Sequence, residues 1–171
     1  MGQPPDEATP EDDPETRRAA EDALLASYAT ALADEVQRAL PDWVRSVVAA
    51  RLGGTVPAAS ADAVETAATT AAEDVGGRLR DLLALDIDEQ WTNPLTLIRT
   101  AVQYPTEVLR DAGAQEIQRD EQSRRFHPED IYGLIPTSFA DLGPAAHDLG
   151  LSWGAAKAHV HLRRRREEEV T

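Results

Sequence analysis

The chain has 171 residues, a length that suits one domain or one domain with tails. It contains no cysteine, so disulfide bonds, thiolate zinc sites and cysteine nucleophiles are excluded. The formal net charge of −14 argues against a protein that coats nucleic acid along its whole surface. The chain has 29 alanines, which favour helix but bury little area, so the core is expected to depend on leucine, valine and the tryptophans Trp43, Trp91 and Trp153.

The first 16 residues are predicted to form a disordered acidic tail. They contain six carboxylates, four prolines and no basic residue, and such a segment has little apolar surface to bury. An acidic start of this kind does not resemble a secretory signal. No run of about 18 apolar residues predicts a transmembrane helix, so we expect a cytoplasmic protein without membrane insertion.

The first helix is predicted from an apolar residue at every fourth position over 24–40. Pro41 is expected to end this helix or to begin the next one. A second apolar stripe follows over 43–52, and Gly53 and Gly54 are expected to stop it.

A third helix is expected to begin near Ser60, whose side chain suits an N-cap. Gly76 and Gly77 lie inside its apolar stripe and permit a kink, a break or a very close helix crossing. The pattern leaves these alternatives open. Asn93 followed by Pro94 predicts a further helix start, with asparagine as the N-cap and proline at the first helical position.

The second half of the chain is expected to be less regular. Pro105 should kink or restart the helix that precedes it, and Gly113 should end it. Residues 114–125 are polar and highly charged, and form either a solvated helix or an exposed linker. Prolines and glycines then recur over 126–150, which predicts short turns and single-turn helices on the surface of the bundle. A final helix is expected over 151–166.

These patterns predict an all-α protein, a small helical bundle with a turn-rich segment. The helical domain is expected to span residues 17–166, between the disordered tail at 1–16 and an acidic C-terminal tail at 167–171. No alternation of apolar and polar residues indicates a strand.

A run of four arginines is the sharpest charge feature of the chain: Arg163, Arg164, Arg165 and Arg166. Such a run is typical of a patch that binds nucleic acid or an anionic membrane. The glutamates at 167–169 neutralise most of its charge, and no aromatic residue lies among the arginines to stack on bases. Cations at the end of a helix also interact favourably with its dipole.

Trp153 and Lys157 precede the arginines on the final helix. Gly154 lets another backbone approach closely, so Trp153 either seats this helix on its own bundle or, if exposed, anchors an interface. We predict a non-enzymatic, partner-binding or regulatory protein that docks a protein partner through Trp153, Lys157 and the four arginines. The alternative is nucleic-acid association through the arginines. A further hypothesis is that the acidic residues 6–15 mask the arginine run until a partner displaces them.

Two clusters of residues have the side-chain types of a metal site. The acidic stretch 86–89 offers three carboxylates, which suit Mg²⁺ or Ca²⁺, but it fails the spacing of an EF-hand loop. His159 and His161 are two residues apart, and such neighbours point to different faces of a helix. We therefore expect no metal and no cofactor.

An enzyme is the third alternative. His127, Glu129 and Asp130 are an acid–base set in principle, although a proline at position 128 makes a helix first turn the more ordinary explanation. No nucleophile elbow and no phosphate-binding glycine loop occurs in the sequence. The oligomeric state stays open.

Two blocks of sequence resemble conserved actinobacterial proteins of uncharacterised role. They are FHPEDIYGL at 126–134 and GLSWGAAKAHVHLR at 150–163, and the resemblance covers roughly residues 90–166. It implies a bacterial, cytoplasmic origin, and it supplies no activity, ligand or catalytic residue.

Overall fold

A computed structural model describes residues 13–118 and 130–170 of the chain. Its α-helices are α1 (Pro14–Arg51), α2 (Ala61–Ala84), α3 (Pro94–Arg99), α4 (Gln103–Asp111) and α5 (Pro144–Val170). Short 3₁₀ turns occupy Ala58–Ser60, Ile87–Glu89, Thr100–Val102 and Phe139–Leu142. No strand occurs in the described residues, and the predicted all-α fold is confirmed.

Helix α1 is the central element, and α2 and α5 both pack along it. Two ion pairs show that α2 runs antiparallel to α1. Arg80, near the end of α2, binds Asp34 at 2.6 Å, and Glu65, near its start, binds Arg45 farther along α1 at 2.8 Å. Helix α4 packs on both α1 and α2 and covers their shared apolar face. None of the helices in the described ranges combines the length and apolarity that a membrane crossing requires.

The core follows the apolar stripe predicted for α1. Its fully buried side chains there recur at every fourth position: Leu32, Val36, Leu40, Val44 and Val48. Burial of each such side chain contributes about 1.5–3 kcal/mol. Trp43 and Trp153 join this core, but Trp91 is 91% exposed. The expectation that Trp91 supports the core is therefore wrong, because it lies in the connection before α3 and belongs to no apolar stripe.

The expected helix boundary at Pro41 is also wrong. Helix α1 continues through this residue to Arg51, although proline lacks the N–H that would bond to the carbonyl of Gln37. The buried stripe continues on both sides of Pro41, so packing against α2 and α5 holds the helix together across it. The predicted stop is confirmed, since Gly53 and Gly54 both adopt positive φ angles directly after the helix.

Helix α2 begins at Ala61, as expected, but the Ser60 side chain makes no capping hydrogen bond. The helix is unbroken at Gly76. A Cβ atom there would lie 2.8 Å from the Cβ of Gln37 on α1, so the close crossing is the alternative that the structure adopts. Farther along the chain, Asn93 caps α3 as predicted, because its side chain accepts the backbone N–H of Leu95 at 3.0 Å.

Helix α5 is longer at both ends than expected. It begins at Pro144 and includes Gly150, which was assigned to the turn-rich segment. A Cβ atom at position 150 would lie 2.5 Å from the ring of Phe139, so this glycine makes room for a packed side chain inside the helix. The helix extends to Val170, and residues 167–170 of the predicted C-terminal tail are therefore helical.

Part of the predicted N-terminal tail is helical as well. Asp13 is the N-cap of α1, and its carboxylate accepts the backbone N–H of Thr16 at 3.1 Å. Residues 1–12 lie outside the described residues, and so does most of the segment that was expected to mask the arginine run. The same holds for residues 119–129, which include His127 and Glu129.

Candidate partner-binding surface

Helices α1 and α5 extend beyond the end of α2 and form an arm of two helices. Since Asp34 lies beside Arg80, the last residue of α2 is level with about residue 30 of α1. The first buried residue of α1 is Ala29, and the last buried residue of α5 is Val160. We call residues 14–24 of α1 and 159–170 of α5 the two-helix arm. At 1.5 Å per residue, each of its helices is about 16 Å long or slightly longer.

Ion pairs join the two helices of the arm in antiparallel order. Arg163 binds Glu21 at 2.7 Å and Asp22 at 3.0 Å, and only 17% of its side chain is exposed. Arg18 binds Glu167 at 2.8 Å. No residue of the α1 segment is buried, and the more exposed pair of Arg18 with Glu167 contributes little to stability. The arm is therefore held less firmly than the rest of the bundle.

Glu21 of α1 contacts two basic side chains of α5. It accepts a hydrogen bond from His159 at 3.0 Å in addition to its contact with Arg163. The hydrogen bond with His159 and then the contact with Arg163 hold the pKa of Glu21 below its ordinary value. His159 therefore has a carboxylate partner in Glu21.

Arg164 projects toward the turn after α2. It binds Asp86 at 2.7 Å and Asp88 at 3.0 Å, and its hydrogen bond is the main reason that the pKa of Asp86 is lowered. In the acidic stretch 86–89, Asp86 and Asp88 thus bind an arginine side chain. Across residues 13–118 and 130–170, no group of three or more histidine and carboxylate side chains is arranged to hold a metal ion.

The six residues predicted to bind a partner fall into different environments. Trp153 is only 7% exposed and belongs to the core. Lys157 is half-buried. Arg163 and Arg164 are engaged by carboxylates as described above. Arg165 and Arg166 are exposed, and neither forms an ion pair with a residue that the structure describes.

A groove between the helices of the arm contains three residues that the sequence did not single out. They are Arg17, Leu162 and Val170, and they share the groove with Pro14 and Arg166. Leu162 is 54% exposed and Val170 is 88% exposed. The sequence offered one signal for this groove. No leucine or valine occurs in α1 before Leu24, so the end of α5 has no large apolar side chain of α1 to pack on.

Asp130 is the one residue of the predicted acid–base set that lies within the described residues. Its two carboxylate oxygens accept the backbone N–H groups of Leu134 at 2.6 Å and Ile135 at 3.0 Å. This carboxylate therefore holds the turn that places Tyr132 and Leu134 in the core. Nothing further is described for His127 and Glu129.

The comparisons with known proteins add no relative to this picture. No family model matches the chain, and neither the curated proteins nor the solved structures give a match. The resemblance to actinobacterial proteins stays a prediction.

Proposed function

We propose that the chain is a non-enzymatic binding protein that docks a helical segment of a protein partner in the groove of the two-helix arm. The partner segment carries an apolar stripe flanked by carboxylates. The observation that carries the proposal is the combination of exposed apolar side chains, Leu162 and Val170, with arginines that have no ion pair among the described residues, Arg17 and Arg166.

The packing of the arm supports this proposal. Helix α1 packs against α2, α4 and α5, but the groove between the two helices of the arm is lined by residues of α1 and α5 alone among those that the structure describes. A third helix in the groove would remove Leu162 and Val170 from water, at about 25 cal/mol for each Å² of apolar surface buried. Its carboxylates would pair with Arg17 and Arg166, and charge pairing of this kind fixes the register of a docked helix.

The charge of the chain limits the range of these interactions. A net charge of −14 repels an acidic partner at a distance, whereas at physiological salt the charges within about 8 Å dominate. The partner is therefore expected to rely on its apolar stripe for affinity. We expect its carboxylates to select the orientation.

Nucleic-acid association is the second candidate. Arg165 and Arg166 are the observation that favours it, because both are exposed and free of ion pairs to described residues. Arg163 and Arg164 already bind carboxylates, so the run offers about two phosphate contacts rather than four, and the expected salt dependence is shallow.

Synthetic probes test the proposal. Two fluorescent 18-residue peptides carry the same leucines at helical spacing, flanked by glutamates in one and by lysines in the other, and a single-stranded DNA of similar length is the third probe. We expect the glutamate peptide to bind most tightly by fluorescence anisotropy. Equal binding of both peptides would contradict the proposal. Tightest binding of the DNA, lost in Arg165→Ala/Arg166→Ala, would establish the nucleic-acid alternative instead.

A matched pair of variants locates the site. Arg17→Ala/Arg166→Ala removes the cations of the groove, whereas Arg38→Ala/Arg110→Ala removes two exposed arginines elsewhere. We expect the first pair to weaken binding of the glutamate peptide about tenfold, as loss of one or two charge contacts does, and the second to leave it unchanged. Equal affinities of the two double variants would reject the groove as the docking site.

A further inference from the structure

The single lysine of the chain occupies a distinctive environment. The other 16 basic residues are arginines, and Lys157 lies on α5 between the buried Trp153 and the arginine run. Its Nζ donates a hydrogen bond to Oε1 of Gln90 at 3.0 Å and lies 5.1 Å from the centre of the Trp153 ring.

Lys157 lacks the carboxylate partners that the neighbouring arginines have. Arg163 binds three carboxylates and Arg164 binds two, whereas Lys157 forms no ion pair with any described residue. Its side chain is half-buried, and burial without a counter-charge disfavours the ammonium form and lowers the pKa of Lys157. The face of Trp153 attracts the cation and offsets part of this effect.

A cavity lies beside this lysine. Gln90, which accepts its hydrogen bond, also lines a cavity between α1 and the end of α2. Leu83, Leu85 and Ile87 contribute apolar surface to this cavity, and Asp22, Asp86 and Arg164 contribute charge. Nζ is thus one hydrogen bond away from a residue that lines the cavity.

We propose that Lys157 is a site of Nε-acylation by a small acyl donor, an acyl phosphate or an acyl thioester, with the acyl group resting at the edge of this cavity. The lone pair of the neutral amine attacks the carbonyl carbon of the donor, and a C–N bond forms. The C–O bond to phosphate or the C–S bond to the thiol breaks, and the leaving group takes the electron pair. Nζ releases a proton to solvent. The product is a neutral amide whose N–H still donates to Gln90.

The choice of lysine at this position supports the inference. A guanidinium keeps its proton at every accessible pH and does not undergo this reaction, whereas desolvation lowers the pKa of an amine and increases the fraction that is neutral. The other 16 residues of the Lys and Arg set are all arginines. Acylation is thereby restricted to one side chain, and it removes one positive charge between the core and the two-helix arm. The inference is independent of the proposed docking function.

The first test is a reactivity profile of the full chain with acetyl phosphate from about pH 6 to about pH 10, a range below the ordinary lysine pKa of about 10.4 in which the fraction of free amine rises with pH. Nα-acetyl-lysine in the same tube is the reference amine. Intact mass and peptide mapping give the rate at Lys157, and Lys157→Arg identifies any signal from the N-terminal amine. We expect Lys157 to react about threefold or more faster than the reference near neutral pH, because more of it is the free amine. A rate at or below the reference at every pH would overturn the proposal.

A matched pair of variants tests the cause. Gln90→Glu places a carboxylate at the position where Oε1 of Gln90 lies 3.0 Å from Nζ. Gln115→Glu makes the same change at an exposed position after α4. A nearby negative charge favours the ammonium form, so we expect Gln90→Glu to slow acetylation about threefold or more and Gln115→Glu to leave the rate unchanged. Circular dichroism checks that both variants retain the helical fold. Equal rates in the two folded variants would contradict the inference.

Discussion

Adjacent glycines on α2 permit a controlled measurement of how tightly α1 and α2 cross. A Cβ atom at Gly76 would lie 2.8 Å from both Cβ and Cγ of Gln37 and 3.2 Å from its Cα atom. At Gly77 a Cβ atom would meet nothing within 4 Å. Both residues lie in the interior of the same helix, so replacement by alanine gains about 1 kcal/mol of helix propensity at either position.

The difference between the two alanine variants isolates the packing cost. Gly77→Ala is expected to raise the free energy of unfolding by about 0.5–1 kcal/mol. In Gly76→Ala the same gain is opposed by overpacking against Cβ and the backbone of α1, which costs about 1–3 kcal/mol. The two variants should therefore differ by about 2 kcal/mol, or by about 4–8 °C in Tm for a chain of this size.

Urea denaturation followed by circular dichroism at the helix band measures this difference. Equal slopes of the two transitions would indicate that the change lies in the native state. If Gly76→Ala stabilises the chain as much as Gly77→Ala does, the close crossing of α1 and α2 is refuted.

Three further predictions concern polar groups. Arg163→Ala should lower the free energy of unfolding by about 1–2 kcal/mol because two carboxylates on α1 lose their ion-pair partner. Arg165→Ala should change it by less than about 0.5 kcal/mol. Equal effects of the two substitutions in urea denaturation would contradict the ion-pair assignment. Burial and a hydrogen bond to Asp74 raise the pKa of Tyr104 to about 12, so its contribution to stability is present below pH 10 and is lost as the pH rises toward 12. Tyr104→Phe should remove that part of the fall in the free energy of unfolding between pH 10 and pH 12, as measured by urea denaturation. The same fall in both proteins would exclude the contribution of Tyr104. Asp130→Ala should cost about 1–3 kcal/mol because two backbone N–H groups lose their acceptor, and an unchanged thermal transition would be inconsistent with this role.

The sequence predicted those features of the fold that depend on neighbouring residues. The four-residue period identified the buried face of α1 at Leu32, Val36 and Leu40, although Leu24 at its start is 51% exposed. Asn93 with Pro94 placed the start of α3 correctly. Pro41 and Gly150 were misread because their local preference for a break is outweighed by tertiary packing, which a periodicity argument does not include.

The candidate surface was predicted only in part. The end of α5 was identified from its charge, but the partners of Arg163 on α1 and of Arg164 after α2 lie more than 70 residues away in the sequence. No local pattern indicates which arginine of a run meets carboxylates from a distant segment. Leu162 was not singled out because one leucine among arginines resembles an ordinary surface residue.

The order in which the helices meet has a consequence for folding. The contacts between α1 and α2 join residues 20 to 46 positions apart, whereas those between α1 and the end of α5 join residues about 140 positions apart. Closing a short loop costs less entropy than closing a long one, so the hairpin of α1 and α2 is expected to assemble first on the ribosome and in refolding. The first turns of α1 are then expected to remain solvated and frayed until His159 and Arg163 of α5 have been synthesised.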